Sequence, residues 1–320
     1  MARRPRLHLR GGAALLMAGL LAACMETVPP APVPSPPARP ARTVAPVAAM
    51  PSAASAAMRA RLARVEATLL AQGLLRTDGG GTDTPFNDRQ LAENFIRIAL
   101  HDEYVSRNGS FVPQDTPSRL RRWEQPIRMA VEFGAGVPEA QRAADRAEIE
   151  AYAARLSRAS GHPIRLTDAA SANYHILILN EDERRAYGSR LTQIVPGIDP
   201  VSLSTIVNLP ASTFCVVFAF SSGQSSVYTR AVAVIRAEHP DRMRLSCIHE
   251  EVAQGMGLAN DSPSARPSIF NDDEEFALLT RHDELLLKML YDKRLRPGMT
   301  PEEARPIVER MAYELIGGES

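Results

Sequence analysis

The sequence predicts an α/β (α+β) fold: a mixed, twisted sheet packed with one long motif helix and C-terminal helices, preceded by a helical N-terminal section. Three observations carry this prediction. Hydrophobic residues make up 45% of the 320 residues, which is ample for a packed core. After about residue 120, short apolar runs of strand type take turns with segments of helical period. No repeat of 20–50 residues is present, which sets aside solenoids and propellers.

The elements follow in chain order. Met58, Leu62, Val65 and Leu69 keep a helical period up to Gly73, and Asp78-Gly79-Gly80-Gly81 then interrupts the chain. A second helix is expected after Asn87, with Leu91, Phe95, Ile98 and Ala99 on one face. From Ser106 to Ser118 the chain is polar and holds prolines, so it is expected as a connector. Residues 58–118 therefore form the helical N-terminal section. The main domain, 119–320, opens with Trp123-Glu124-Gln125-Pro126 and an alternating strand, Ile127–Phe133. Residues from about 138 to 160 make a helix with Ile149, Tyr152, Ala153 and Leu156 in period, closed by Gly161. Strands are expected at Ile164–Thr167, Tyr174–Asn180, Phe214–Ser221 and Val227–Glu238, the last two around the turn Ser222-Gly223-Gln224-Ser225. The motif helix runs from Arg242 to Leu258, ending near Gly257.

The N-terminus has a different character. Residues 1–23 hold Arg3, Arg4, Arg6 and Arg10, then an apolar run too short to span a bilayer, which is the pattern of a secretory signal. Its end, Leu21-Ala22-Ala23-Cys24, resembles the bacterial lipobox, which implies a diacylglyceryl group on Cys24 and a stable membrane anchor. Met25, rather than an aspartate, follows the cysteine, and by resemblance to the sorting rule this implies the outer membrane, with the protein facing the periplasm. Residues 24–57 are expected as a semi-rigid tether, because nine of the 25 residues from Thr27 to Pro51 are proline.

The chain carries 37 basic and 37 acidic side chains, and removing the signal leaves 33 against 37. A mildly acidic protein lacks the basic footprint of a general nucleic-acid binder. With Cys24 assigned to lipid, Cys215 and Cys247 remain in an oxidising compartment and are expected to form a disulfide. Neither has zinc-knuckle or CxxC spacing.

The chemistry, if any, lies in the window Cys247 to Asp261, CIHEEVAQGMGLAND. A zincin helix places two histidines one turn apart around a glutamate, but His249-Glu250 has Ala253 where the second should be. Shifted by one residue, Glu250, Glu251, Gln254, Gly257 and Asn260 fall at the offsets of H-E-x-x-H-x-x-G-x-x-H. The window then resembles the metzincins, matrixins in particular. Pro267-Ser268-Ile269-Phe270 stands where their methionine turn would lie, and Leu279–Asp283 with Leu290-Tyr291-Asp292 resembles their final helix. A closer resemblance covers most of the mature chain. The run EEVAQGMGLAND…PSIFNDDEEFALLTRHDELLLKMLYDKRLRPGMT is similar to a family of bacterial lipoproteins, domain of unknown function 2927, for which no activity is established.

The metzincin resemblance implies a catalytic base at Glu251 and ligands at Glu250, Gln254 and Asn260, yet every histidine is replaced. Amide and carboxylate oxygens suit zinc poorly. With Asp261 they could suit a non-zinc divalent cation such as Ca²⁺ or Mg²⁺. At 100° per residue, Leu245, Ile248, Val252 and Met256 form the apolar stripe, with His249 near it as a packing residue. Glu250 and Gln254 lie opposite, either on a solvated face or lining a cleft. Asn271-Asp272-Asp273-Glu274-Glu275 lacks EF-hand spacing and is expected as a solvated acidic helix start. The sequence thus points to an envelope lipoprotein with a degenerate, non-catalytic metzincin-like domain that needs no cofactor. Its partner would be an envelope protein or peptide, bound in the old cleft or at the acidic segment. The alternative is an active hydrolase built on a non-zinc cation, with Glu251 as base.

Overall fold

A computed structural model describes residues 51–107, 110–271 and 273–317. The expected signal, Cys24 and most of the tether lie outside the described residues. Helix α1 spans Ala53–Ala71, five residues earlier than Met58, because Ser52 caps it by accepting the Ser55 N–H. The Ser55 hydroxyl donates to Glu238 Oε1 at 2.6 Å, and Glu66 Oε2 accepts the Met243 N–H at 2.9 Å. These two bonds fasten α1 to the main domain. Helix α2, Asp88–Ala99, starts at a reciprocal capping box between Asn87 and Gln90 and buries Leu91, Phe95 and Ile98. It packs on the two C-terminal helices, α8 (Arg281–Leu290) and α9 (Pro301–Ile316).

The expected connector from Ser106 to Ser118 is instead most of an antiparallel hairpin, β1 (His101–Arg107) and β2 (Ser110–Pro117). Polar residues and prolines argue against a central strand. A separate two-stranded ribbon consists only of edges, where both are tolerated.

The main sheet has six strands: β3 (Arg122–Trp123), β4 (Ile127–Phe133), β5 (Ile164–Leu166), β6 (Tyr174–Leu179), β7 (Cys215–Ser221) and β8 (Val227–Arg236). Its order is β3-β8-β6-β4-β5, with β7 also paired to β8. All pairs are parallel except β7–β8, so β7 is an antiparallel edge strand. The parallel β4–β5 pair needs a crossover, supplied by α3 (Glu139–Ser160), which ends at Gly161 with φ +71°.

Both faces of the sheet are covered, which explains why β6 is apolar on both faces from Ile176 to Leu179. Ile176 and Ile178 face the main core with Ile149, Leu156, Ile248 and Val252. Leu177 and Leu179 face a second cluster with Leu191, Ile194 and Ile206. That second cover consists of three short helices, α4 (Glu181–Arg185), α5 (Gly188–Ile194) and α6 (Pro200–Val207), which are too short to leave a readable period in the sequence. The motif helix α7 is Asp241–Gln254.

The acidic segment is not a helix start. Glu274 O and Glu275 O accept the backbone N–H groups of Leu75 and Arg76, and Glu275 is clamped between Arg76 and Arg266. Pairing of this strip with the chain after α1 fixes it as an extended loop. Asp272 lies outside the described residues.

Candidate functional site

Aromatic donors hold the carbonyls at the C-terminal end of helix α7, where the supply of intrahelical N–H groups runs out. Tyr174 O–H donates to Glu251 O at 2.9 Å and Trp123 Nε1–H to Gly255 O at 2.9 Å. Tyr291 O–H donates to Met256 O at 2.9 Å. Gly255 admits this packing, since a Cβ there would sit 2.1 Å from Tyr174 Oη. The chain then reverses at Gly257, whose φ is +127° and whose missing Cβ would lie 2.2 Å from Arg121 O.

His249 points into the core, as its place beside the apolar stripe implies. Its Nδ1 accepts the Leu279 N–H at 3.0 Å, and its ring stacks on Tyr152 with centroids 3.9 Å apart. Burial, with Arg155 nearby, pushes its pKa down to about 3, so it is a neutral acceptor.

The opposite side of α7 lines a cleft of about 740 Å³. Glu250, Glu251, Gln254 and Asp261 line it from α7 and the turn that follows. β7 lines it along most of its length, α6 and the chain up to Thr213 form a further wall, and Asp102 and Glu103 of β1 reach it from the hairpin. Gln254 Nε2 donates to Asp261 Oδ1 at 3.1 Å, which fixes the amide side by side with that carboxylate. A smaller cavity of about 120 Å³, lined by Phe214, Met243, Ser246, the two cysteines and Glu274, also touches Glu250 and Glu251.

The structure corrects one member of the expected set. Asn260 is 2% exposed and faces α2 rather than the cleft. Its side chain donates to Arg97 O at 2.9 Å and its backbone N–H to Ile98 O at 3.1 Å. Asp261, the next residue, takes the cleft position.

Burial raises the pKa of both Glu250 and Glu251 well above the usual carboxylate range. The negative field of Asp261 adds to this for both, and Glu251 and Glu274 add to it for Glu250. Ligand atoms of Glu250, Glu251 and Cys215 lie within 4.8 Å of one another. Cys215 is, however, joined to Cys247 with Cα atoms 5.9 Å apart, and a disulfide sulfur is not a thiolate ligand. Two carboxylates with Asp261 and an amide therefore remain as donors. The set does not suit zinc, whose sites are built on imidazole or thiolate.

Several cleft residues escape a reading of the motif alone: Asp102, Glu103, Arg121, Asp199 and Tyr228. Arg121 pairs with Asp102 at 2.8 Å, and Asp199 caps α6 by accepting the Ser202 N–H. Asp199-Pro200 is a local N-cap signal visible in the sequence. Glu103 lies just ahead of the stretch expected as a connector, and nothing in its neighbours marks it as a cleft residue.

Residues 88–310 match a protein family described as Protein of unknown function (DUF2927). The chain belongs to this family. The DUF2927 region begins at α2, ends within α9, and contains every residue lining the cleft. No curated protein and no solved structure matches the chain significantly.

Proposed function

We propose that this DUF2927 protein is a lipoprotein anchored through Cys24 in the bacterial cell envelope, facing the periplasm from the outer membrane. Its degenerate metzincin-like domain holds an extended polypeptide segment without cleaving it. The observation that carries the reading is the cleft beside β7. This edge strand, Cys-Val-Val-Phe-Ala-Phe-Ser, is half-buried throughout, contains no lysine or proline, and pairs with no strand but β8 among the described residues. An apolar edge of that kind is a template for adding a strand, and natural proteins usually blunt such edges. The motif helix supplies Glu250, Glu251, Gln254 and Asp261 to the same cleft and no imidazole, so there is no zinc-bound water for Glu251 to activate. The helix, the glycine turn, Phe270 in the methionine-turn place and α8 follow in the order that the resemblance implies. Because no structure matches, this layout supports the reading by analogy of arrangement alone.

The test uses the full chain bearing Cys24→Ser, recovered from the periplasm. Fluorescein-labelled unstructured octapeptides would be titrated by polarisation, the same mixtures read by mass spectrometry for cleavage, and metal content measured. Saturable binding with intact peptides is expected. The carboxylate pair favours one rival, a hydrolase on a non-zinc cation. One bound metal per chain, with peptide turnover abolished by Glu251→Gln, would establish that rival instead.

A further inference from the structure

The cleft is charged on one side of the ledger. Its lining holds Asp102, Glu103, Asp199, Glu250, Glu251 and Asp261, and Arg121 is its one cationic side chain among the described residues. Arg121 is spent on Asp102, and Asp199 on the start of α6. Among the described residues of the lining no cation is left for the α7 acids. Glu251 is 5% exposed, lines the cleft, and has no hydrogen-bond donor on its carboxylate among the described residues. It also lies in the last turn of α7, which contains no basic residue, so it faces the negative end of the helix dipole. A buried carboxylate is ordinarily paired, and leaving one unpaired costs stability. A fold that retains such a group at a cleft wall, beside the half-buried Glu250, presents a site built for a positive ligand.

We propose that the cleft recognises its peptide by a cationic side chain, a lysine ammonium or an arginine guanidinium, seated against Glu250, Glu251 and Asp261. This deepens, and rests on, the peptide-binding reading above. The size and walls of the cleft select a side chain over a bare metal ion. About 740 Å³ matches a site for a molecule of many atoms. Val217 and Ala219 of β7, on the strand face that carries Cys215 toward α7, offer an apolar wall for the methylene stem of such a residue. A divalent cation wants six or more oxygens. Here Asp261 already accepts the Gln254 amide, and the sulfur within reach is locked in the disulfide. Seating a cation favours the ionised carboxylates, so binding should release a proton and tighten as pH rises above the ordinary carboxylate range.

The probes are three fluorescein-labelled alanine–valine octapeptides that differ only at one central residue: lysine, norleucine or glutamate. They would be titrated into the full Cys24→Ser chain and into its Glu250→Gln and Glu251→Gln forms. Calorimetry in two buffers of different ionisation enthalpy would count protons. The expected result is binding of the lysine peptide at least about tenfold tighter than the norleucine peptide, with proton release. The preference should fall to about twofold or less in either glutamine variant. Equal binding of lysine and norleucine peptides would overturn the cationic subsite and leave the peptide-binding reading standing. Failure of all three peptides to bind would sink both. Stoichiometric binding of Ca²⁺ or Mn²⁺ alone, lost in Glu251→Gln and blocking the lysine peptide, would overturn the proposal in favour of a metal site.

Discussion

His249 offers a sharp test of which way α7 faces, because a buried core histidine and a solvated one respond differently to acid. At about pH 7.5 its imidazole is neutral in both the folded and the unfolded chain. Replacing it with glutamine, whose oxygen can still accept the Leu279 N–H, removes ring stacking on Tyr152 and some packing, for about 1–2 kcal/mol. Acid then separates the two proteins. The folded imidazole is held down to about 3 from the ordinary 6.5, so the unfolded chain takes up the proton first. Stability contributed by this group is complete above pH 6.5 and is lost as pH falls toward about 3. Between about pH 7.5 and 4.5 the unfolded chain gains close to two pH units of protonation free energy, or about 3 kcal/mol. Buried His239, held down to about 4, and the raised acids Glu250 and Glu251 also titrate, but they are common to both proteins and cancel in the comparison. Urea unfolding of the Cys24→Ser chain, with and without His249→Gln, at the two pH values gives the double difference. The variant should lose about 3 kcal/mol less on acidification. Equal losses would mean that His249 is solvated or protonated in the fold, and the core assignment would fail.

Further outcomes follow from the same geometry. Glu251→Gln should stabilise the protein by at least about 1 kcal/mol near pH 7.5. The folded carboxyl keeps a proton that the unfolded one gives up, so wild-type stability falls as pH rises above the ordinary value of 4.5. Urea midpoints showing no gain would contradict this. Reducing the Cys215–Cys247 bond, which spans a sequence separation of 32, should cost about 4 kcal/mol in the chain-entropy model, measured by unfolding with and without a dithiol. Free alkylation of both thiols in unreduced, periplasm-derived protein would rule the bond out. Gly257→Ala should cost at least about 2 kcal/mol, because φ of +127° and the contact with Arg121 O both exclude a Cβ, and an unchanged midpoint would refute the turn. Cys24→Ser should move the protein from the membrane to the soluble periplasmic fraction, and retention after a high-salt wash would refute the anchor.

Much of the fold is legible in the chain because its signals are local. The alternation of Ile127–Phe133, the apolar run Ile176–Leu179 and the Gly161 helix end each depend on neighbours a few residues away. So does the apolar stripe of the motif window, whose Ile248, Val252 and Met256 are buried and whose Leu245 is half-buried. The hairpin β1–β2 and the helices α4 to α6 are less legible, since a ribbon without a buried face and helices of five to eight residues carry little period.

By itself the sequence determined the longer strands of the main sheet, the long helices before and within the motif window, the disulfide partners and the family, together with the absence of histidine at 250, 254 and 260. Only the tertiary structure decided which acids share a cleft. Asn260 and Asp261 are adjacent and both polar, and spacing from Gly257 favours the first. The fold chose the second, because the backbone and side-chain N–H groups of Asn260 are held by the carbonyls of Ile98 and Arg97, more than 160 residues earlier. That bond pair turns Asn260 toward α2 and leaves Asp261 to meet Gln254, and no local pattern in the sequence encodes a contact across such a distance.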